Sequence, residues 1–135
     1  MKLLLCVSSV ADVEPAMQEF SVSLQSNQLY KFLYTIQILH HEIDVVNTGV
    51  GVYQTTYKTT KVLSQHKYHL ALKLSFGNAY KQEIAIGTTL NIVNEKPGDF
   101  GMRVGEEWKD HYDFNLMSRE DAPHVRGGFI NLTNA

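Results

Sequence analysis

Three short segments carry the residue types that handle small polar ligands. They are Ser8 to Glu14, Thr48-Gly49-Val50-Gly51-Val52, and Ser75-Phe76-Gly77-Asn78-Ala79-Tyr80. A carboxylate such as Glu14 can orient water or a sugar hydroxyl. Equally, an acid in a first helical turn complements the helix dipole with no ligand present. Gly49 and Gly51 let the backbone turn tightly and approach a ligand, and a following helix would aim its first amides at an anion or at hydroxyl oxygens. The same spacing also serves a plain tight turn. The dinucleotide fingerprint is incomplete: Gln54 stands at its third glycine, and no acidic residue follows at the required distance. Arginine occurs only at positions 103, 119 and 126. Sites that grip free phosphate usually recruit the arginine fork, so the early loops suit a neutral nucleophile such as water better than phosphate.

Other polar residues fit connections better than chemistry. His40 and His41 are adjacent, so their rings diverge, as at a hairpin turn. His111 with Asp110 and Asp113 matches no standard metal loop, and no metal or cofactor is expected. Trp108, Tyr112 and Phe114 could stack on a base, but packing of a long loop is the better reading. His124-Val125-Arg126-Gly127-Gly128 is either a site element or a turn into a last strand. Cys6 is the one cysteine, which excludes an internal disulfide and a thiolate-rich zinc site and makes a reducing compartment, the cytoplasm, the default. There the Asn131-Leu132-Thr133 sequon has no meaning.

These residues need elements to position them. Lys2 to Val7 is a short apolar run with weak signal-peptide character, and a buried first strand is the better reading. Asp12 is a candidate N-cap for a helix in which Val13, Ala16, Met17, Phe20 and Leu24 recur at helical spacing, ending at Ser26-Asn27. Residues 31 to 48 read as a hairpin broken at His40-His41. A helix from Val52 to about His66 follows, with Val52, Thr56, Thr59 and Leu63 on one face. Leu70, Leu72, Leu74 and Phe76 alternate as a strand, and so do Ile86, Thr88, Leu90 and Ile92. Residues 94 to 126 read as loop, and Phe129 to Leu132 as a last strand. The order implies one α/β domain over residues 1–135, three-layered, with a mostly parallel sheet.

Composition narrows the function classes. The chain has 135 residues, 44% of them hydrophobic, enough for one core. Its 12 basic and 14 acidic residues leave a net charge of −2, which argues against binding nucleic acid backbones. No stretch approaches the length of a membrane span, so no membrane partner is expected.

In order and spacing, the three loops together with Ile86-Gly87-Thr88 resemble the N-terminal part of the nucleoside phosphorylase superfamily. Within it they are most similar to the nucleosidases, futalosine hydrolase of menaquinone biosynthesis above all. Asn94-Glu95-Lys96-Pro97-Gly98-Asp99 and His124 to Phe129 resemble the Bacteroidetes type of that enzyme. The resemblance implies an α/β/α sandwich with a mixed, twisted sheet. It also implies hydrolysis of the N-glycosidic bond of a purine nucleoside, without cofactor, in a cytoplasmic homo-oligomer. Glu14 matches the glutamate that holds or activates the water. Ser8, Gly49, Val50, Gly51, Ser75, Phe76, Gly77 and Asn78 match segments near the sugar, phosphate and base; the usual Gly-x-Ala-Gly is Ser75-Phe76-Gly77-Asn78 here. The family's later Met-Glu pair and its purine-protonating aspartate have no counterpart, so the C-terminal part of the fold is expected to be missing. Three readings stay open: a nucleosidase truncated at this point, a non-catalytic nucleoside-binding or assembly module, and a phosphate-dependent purine nucleoside phosphorylase.

Overall fold

The computed structural model describes residues 1–121 and 128–130. They form two compact units, Met1–Ala79 and Tyr80–Ala135. The first contains β1 (Lys2–Val7), α1 (Glu14–Glu19), β2 (Gln25–Ser26), β3 (Leu33–Ile38), β4 (His41–Asn47), α2 (Val52–Leu63) and β5 (Leu70–Leu74). Its five strands make one mixed sheet in the order β2-β3-β4-β1-β5. β1 runs parallel to both β4 and β5, whereas β2-β3 and β3-β4 are antiparallel. Parallel pairing is therefore confined to the three strands around β1.

β1 lies inside the sheet and buries residues on both faces, which explains its unbroken apolar run. Leu4 and Cys6 pack with Leu33, Val46 and Val62 of α2. Val7 packs with Ile36, Val45 and Val13, and Met17 of α1 lies against them. Each helix thus contributes to a different core cluster.

Three local expectations change. Asp12 does not cap α1. Ser9 caps a short 3-10 turn, Val10–Asp12: its Oγ accepts from the Ala11 amide at 3.2 Å, and its own amide donates to Asp12 Oδ2 at 2.9 Å. α1 then stops at Glu19 rather than near Ser26, and Ser21 takes a left-handed φ of 51°. Ser21-Val22-Ser23 is a run of weak helix formers. Leu24 leaves the helix and still packs in the Val7 cluster. Finally, α2 forms as expected but turns a different face inward. Val62 is fully buried and Thr55, Lys58 and Thr59 are partly covered, while Val52 is 78% and Leu63 48% exposed. The helix has no apolar stripe, so the fit of Val62 into the Leu4 cluster sets its rotation.

The second unit differs more from expectation. Ile86 to Ile92 forms no strand, and Ile86 is fully exposed. Instead β7 (Gly101–Val104) and β8 (Glu107–Asp110) pair as a hairpin inside the supposed loop. Gly105, at φ 65°, heads its two-residue turn, a position that favours glycine. β6 (Asn94–Glu95) pairs with β9 (Phe129–Ile130). Leu132, the rest of the expected last strand, the 131–133 sequon and residues 124–127 lie outside the described residues.

Candidate functional site at the strand ends

The chain leaves β1 toward α1 and leaves β4 toward α2, and these helices belong to different core clusters. The loops after two neighbouring parallel strands therefore part here, which is the usual address of a ligand crevice. Register makes the site specific. Val7 pairs with Asn47 on one side and Leu74 on the other. Thr48, Ser8 and Ser75 follow directly on these residues, so a hydroxyl residue stands just past the end of each of three neighbouring strands.

Thr48 anchors this end of the sheet. It is fully buried; its amide donates to the Val7 carbonyl at 2.8 Å, and its Oγ1 lies 2.9 Å from that carbonyl and 3.1 Å from the Gly49 carbonyl. Such pairing is what a buried hydroxyl requires. It ties the start of the glycine loop to the end of β1. Gly49 (φ 73°) and Gly51 (φ 95°, ψ 154°) occupy backbone regions that side chains oppose, so both glycines are needed for the turn into α2. Val50 between them is 88% exposed.

Two lysines reach this end of the sheet, and sequence reading had missed both. Lys58 Nζ donates to the Asn47 carbonyl at 3.1 Å and sits 5.5 Å from the Phe32 ring centroid. Lys73 Nζ donates to Ser8 Oγ at 3.1 Å. The signals were present. Lys58 stands two helical turns beyond Gly51, and Lys73 alternates with the β5 leucines, so it faces away from them. Early cationic charge exists as lysine.

The remaining expected residues lie further along the chain from these strand ends. Glu14 opens α1 and is exposed. Phe76, Gly77 and Asn78 follow β5 in an exposed irregular segment, Phe76 at 86% exposure. The register thus sets Ser8, Ser75 and the glycine loop just past neighbouring strand ends, with Glu14 on α1 after the β1 loop.

Other polar groups are structural. Asp44 is buried and accepts from Thr35 Oγ1 and Tyr68 OH, both at 2.7 Å, with Lys2 Nζ at 3.2 Å. Burial works to raise its pKa, but these hydrogen bonds and the Lys2 ammonium outweigh burial and hold the carboxyl below its ordinary value. Burial, then the Asp44 carboxylate, push the Tyr68 phenol far up. Burial also raises the Cys6 thiol, the wrong direction for a nucleophile. Asp110 and Asp113 pair with Arg119, and His111 packs against Phe100 and Tyr112. Among the described residues no group of three His, Cys, Asp or Glu is arranged to hold a metal. Tyr112 is buried, whereas Trp108 is 54% exposed on β8. No helix among them is long and apolar enough to cross a membrane.

No protein-family model, curated protein or solved structure matches this chain.

Proposed function

We propose that the chain is a nucleosidase module of the futalosine hydrolase kind, with the α/β/α sandwich of the nucleoside phosphorylase superfamily, acting in the cytoplasm in menaquinone biosynthesis. The observation that carries this reading is the set Thr48, Ser8 and Ser75, each just past a strand end, where the β1 and β4 loops part. The Ser8 and Ser75 hydroxyls and the loop amides at that address suit a ribose, while the buried Thr48 ties the glycine loop to the end of β1. Glu14, beyond the β1 loop, would take a proton from the attacking water as the bond from C1′ of the sugar to the purine nitrogen breaks. Its carboxylate also favours the positive charge that develops on the sugar. The departing purine needs a proton in turn, and no side chain here is assigned that role.

The test is base release. The purified chain is incubated with futalosine, inosine and methylthioadenosine, without phosphate, and free base is measured. Release is expected to fall at least about tenfold in Glu14→Gln, given general-base contributions of roughly 10²–10⁴. Unchanged turnover in that variant removes Glu14 from the mechanism. Saturable nucleoside binding without release favours the second reading, a binding module, which the exposure of Glu14 supports.

The same reading includes self-association. β5 is the terminal strand of the sheet, and Leu72 and Leu74 on it are 48% and 45% exposed. An open edge with an uncovered leucine row is a template for strand pairing. A second copy fits it. Two β5 strands related by a two-fold axis at Leu72 set Leu70 against Leu74 and keep every leucine on one face.

A further inference from the structure

We infer that the cleft at the base of the β7-β8 hairpin binds a small flat aromatic cation, its ring among Phe100, Met102 and Phe114 and its positive charge against Asp99. The inference goes beyond the nucleosidase reading and stands whether or not the chain cleaves a glycosidic bond.

The cleft lies wholly within the second unit, and the hairpin and the turn after it build its walls. Phe100, Gly101 and Met102 line it from the start of β7, His111 from just past β8, and Phe114 and Leu116 from the turn. The two strands are tied together at this end. His111 Nδ1 lies 3.3 Å from the Phe100 carbonyl oxygen, and the two rings stand 4.7 Å apart between centroids. His111 is buried and forms the floor. The turn is equally fixed. Asp110 Oδ1 accepts from the amides of Tyr112 and Asp113 at 2.9 and 3.0 Å, and the Leu116 amide donates to the His111 carbonyl at 3.1 Å. Asn115 takes the left-handed φ of 53° that asparagine tolerates, and the chain returns to the hairpin there. A shape held by the chain's own hydrogen bonds leaves a ligand little ordering to impose.

Size and lining select the ligand. The cavity holds about 240 Å³. An apolar cavity of roughly 150 Å³ admits benzene, and drug-sized sites start at about 300 Å³, so this one takes a single ring system with a short substituent. Phe100, Met102, Phe114 and Leu116 are exposed, so their apolar surface faces water until a ring covers it. The phenylalanine rings favour another ring or a cation, and the thioether adapts to either.

Charge decides the sign. Among the described residues Asp99 is the one carboxylate that lines the cleft, and it makes no ion pair with any of them. The neighbouring cations are already paired: Arg119 with Asp110 and Asp113, and Lys109 with Glu107 at 3.9 Å. A cationic ring therefore meets an unmatched carboxylate and the negative faces of aromatic rings, and both favour it. An anionic ring meets repulsion from Asp99.

The experiment is a chemical-shift titration of the full chain with benzamidine, benzamide and benzoate. These near-identical rings are cationic, neutral and anionic at neutral pH, and sodium chloride keeps the ionic strength constant. Saturating shifts are expected with benzamidine at the Gly101 and Leu116 amides and at the Met102 methyl group, which a ring seated over it moves upfield. Benzamide is expected to bind about fivefold more weakly, and benzoate more weakly again. Asp99→Asn is expected to weaken benzamidine about threefold or more and to change benzamide by less than about twofold. Glu106→Gln, an exposed control in the hairpin turn, should change either by less than about twofold. Shifts that do not saturate, benzamide or benzoate bound as tightly as benzamidine, or a charge preference that survives Asp99→Asn overturn the inference. Asp99 and Glu106 are exposed, so both variants keep the fold.

Discussion

Asp44 shows what single residues contribute here. A carboxylate on a mid-sheet strand is buried only because Thr35, Tyr68 and Lys2 all reach it. Removing it leaves two hydroxyls without their acceptor in the core. Asp44→Ala is expected to lose about 3 kcal/mol of stability, read by urea unfolding. The pH dependence has a definite sign. The folded pKa of Asp44 is depressed, so its contribution is fully present above the unfolded value, near 3.9, and is lost as pH falls through the folded pKa. The Lys2 pKa is raised, chiefly by its hydrogen bond to Glu42, with burial opposing; its contribution is present below the ordinary lysine value and lost above it. Unfolding followed below pH 4 is expected to show a shallower acid limb in Asp44→Asn than in the parent chain. An unchanged limb would assign acid sensitivity to other carboxylates. Sequence had singled out Glu14 but not Asp44. A lone acid in an alternating strand carries no mark of burial until Thr35 and Tyr68 converge on it.

At the scale of elements, α2 separates existence from orientation. Its existence was legible from the glycines that precede it. Its inward face was not, because with four threonines the Val52, Thr56, Thr59, Leu63 line reads as apolar as the face that turns inward. The structure turns Val62 into the Leu4 cluster and leaves Val52 and Leu63 outside. Val62→Ala is expected to lose about 2 kcal/mol in denaturant unfolding. Val52→Ala and Leu63→Ala should each change stability by less than about 0.5 kcal/mol. Equal losses at all three positions would contradict the observed rotation. The Ile86 to Ile92 segment teaches the converse lesson. Its alternation is strand-like, yet a strand exists only where another pairs with it, and none does among the described residues. The β7-β8 hairpin was not legible because strands of four residues are too short to establish a period, although Met102, Arg103 and Val104 do alternate. Its signal was Gly105, and also Gly101, where a Cβ would collide with the Lys109 carbonyl and the Trp108 ring.

At the scale of the whole molecule, the proposed self-association is tested at the sheet edge. Among the described residues β5 pairs on one side, and Leu72 and Leu74 on it are about half-exposed. Sedimentation velocity across a concentration series is expected to show reversible association, weakened in Leu72→Lys, because a charge at the centre of the pairing disfavours it. A parent chain that stays monomeric throughout would overturn self-association through β5. Sequence by itself determined much of this architecture: the buried first strand, the hairpin up to residue 48, the glycine turn into a helix and the leucine strand. Each rests on local rules of periodicity and backbone freedom that act within a few residues. Tertiary structure alone decided the strand order and the register that ends β4, β1 and β5 together, just before Thr48, Ser8 and Ser75. It alone also decided the face α2 presents and which groups Lys58 and Lys73 reach. These depend on pairings and contacts between residues far apart in the chain, whose energies no local pattern records.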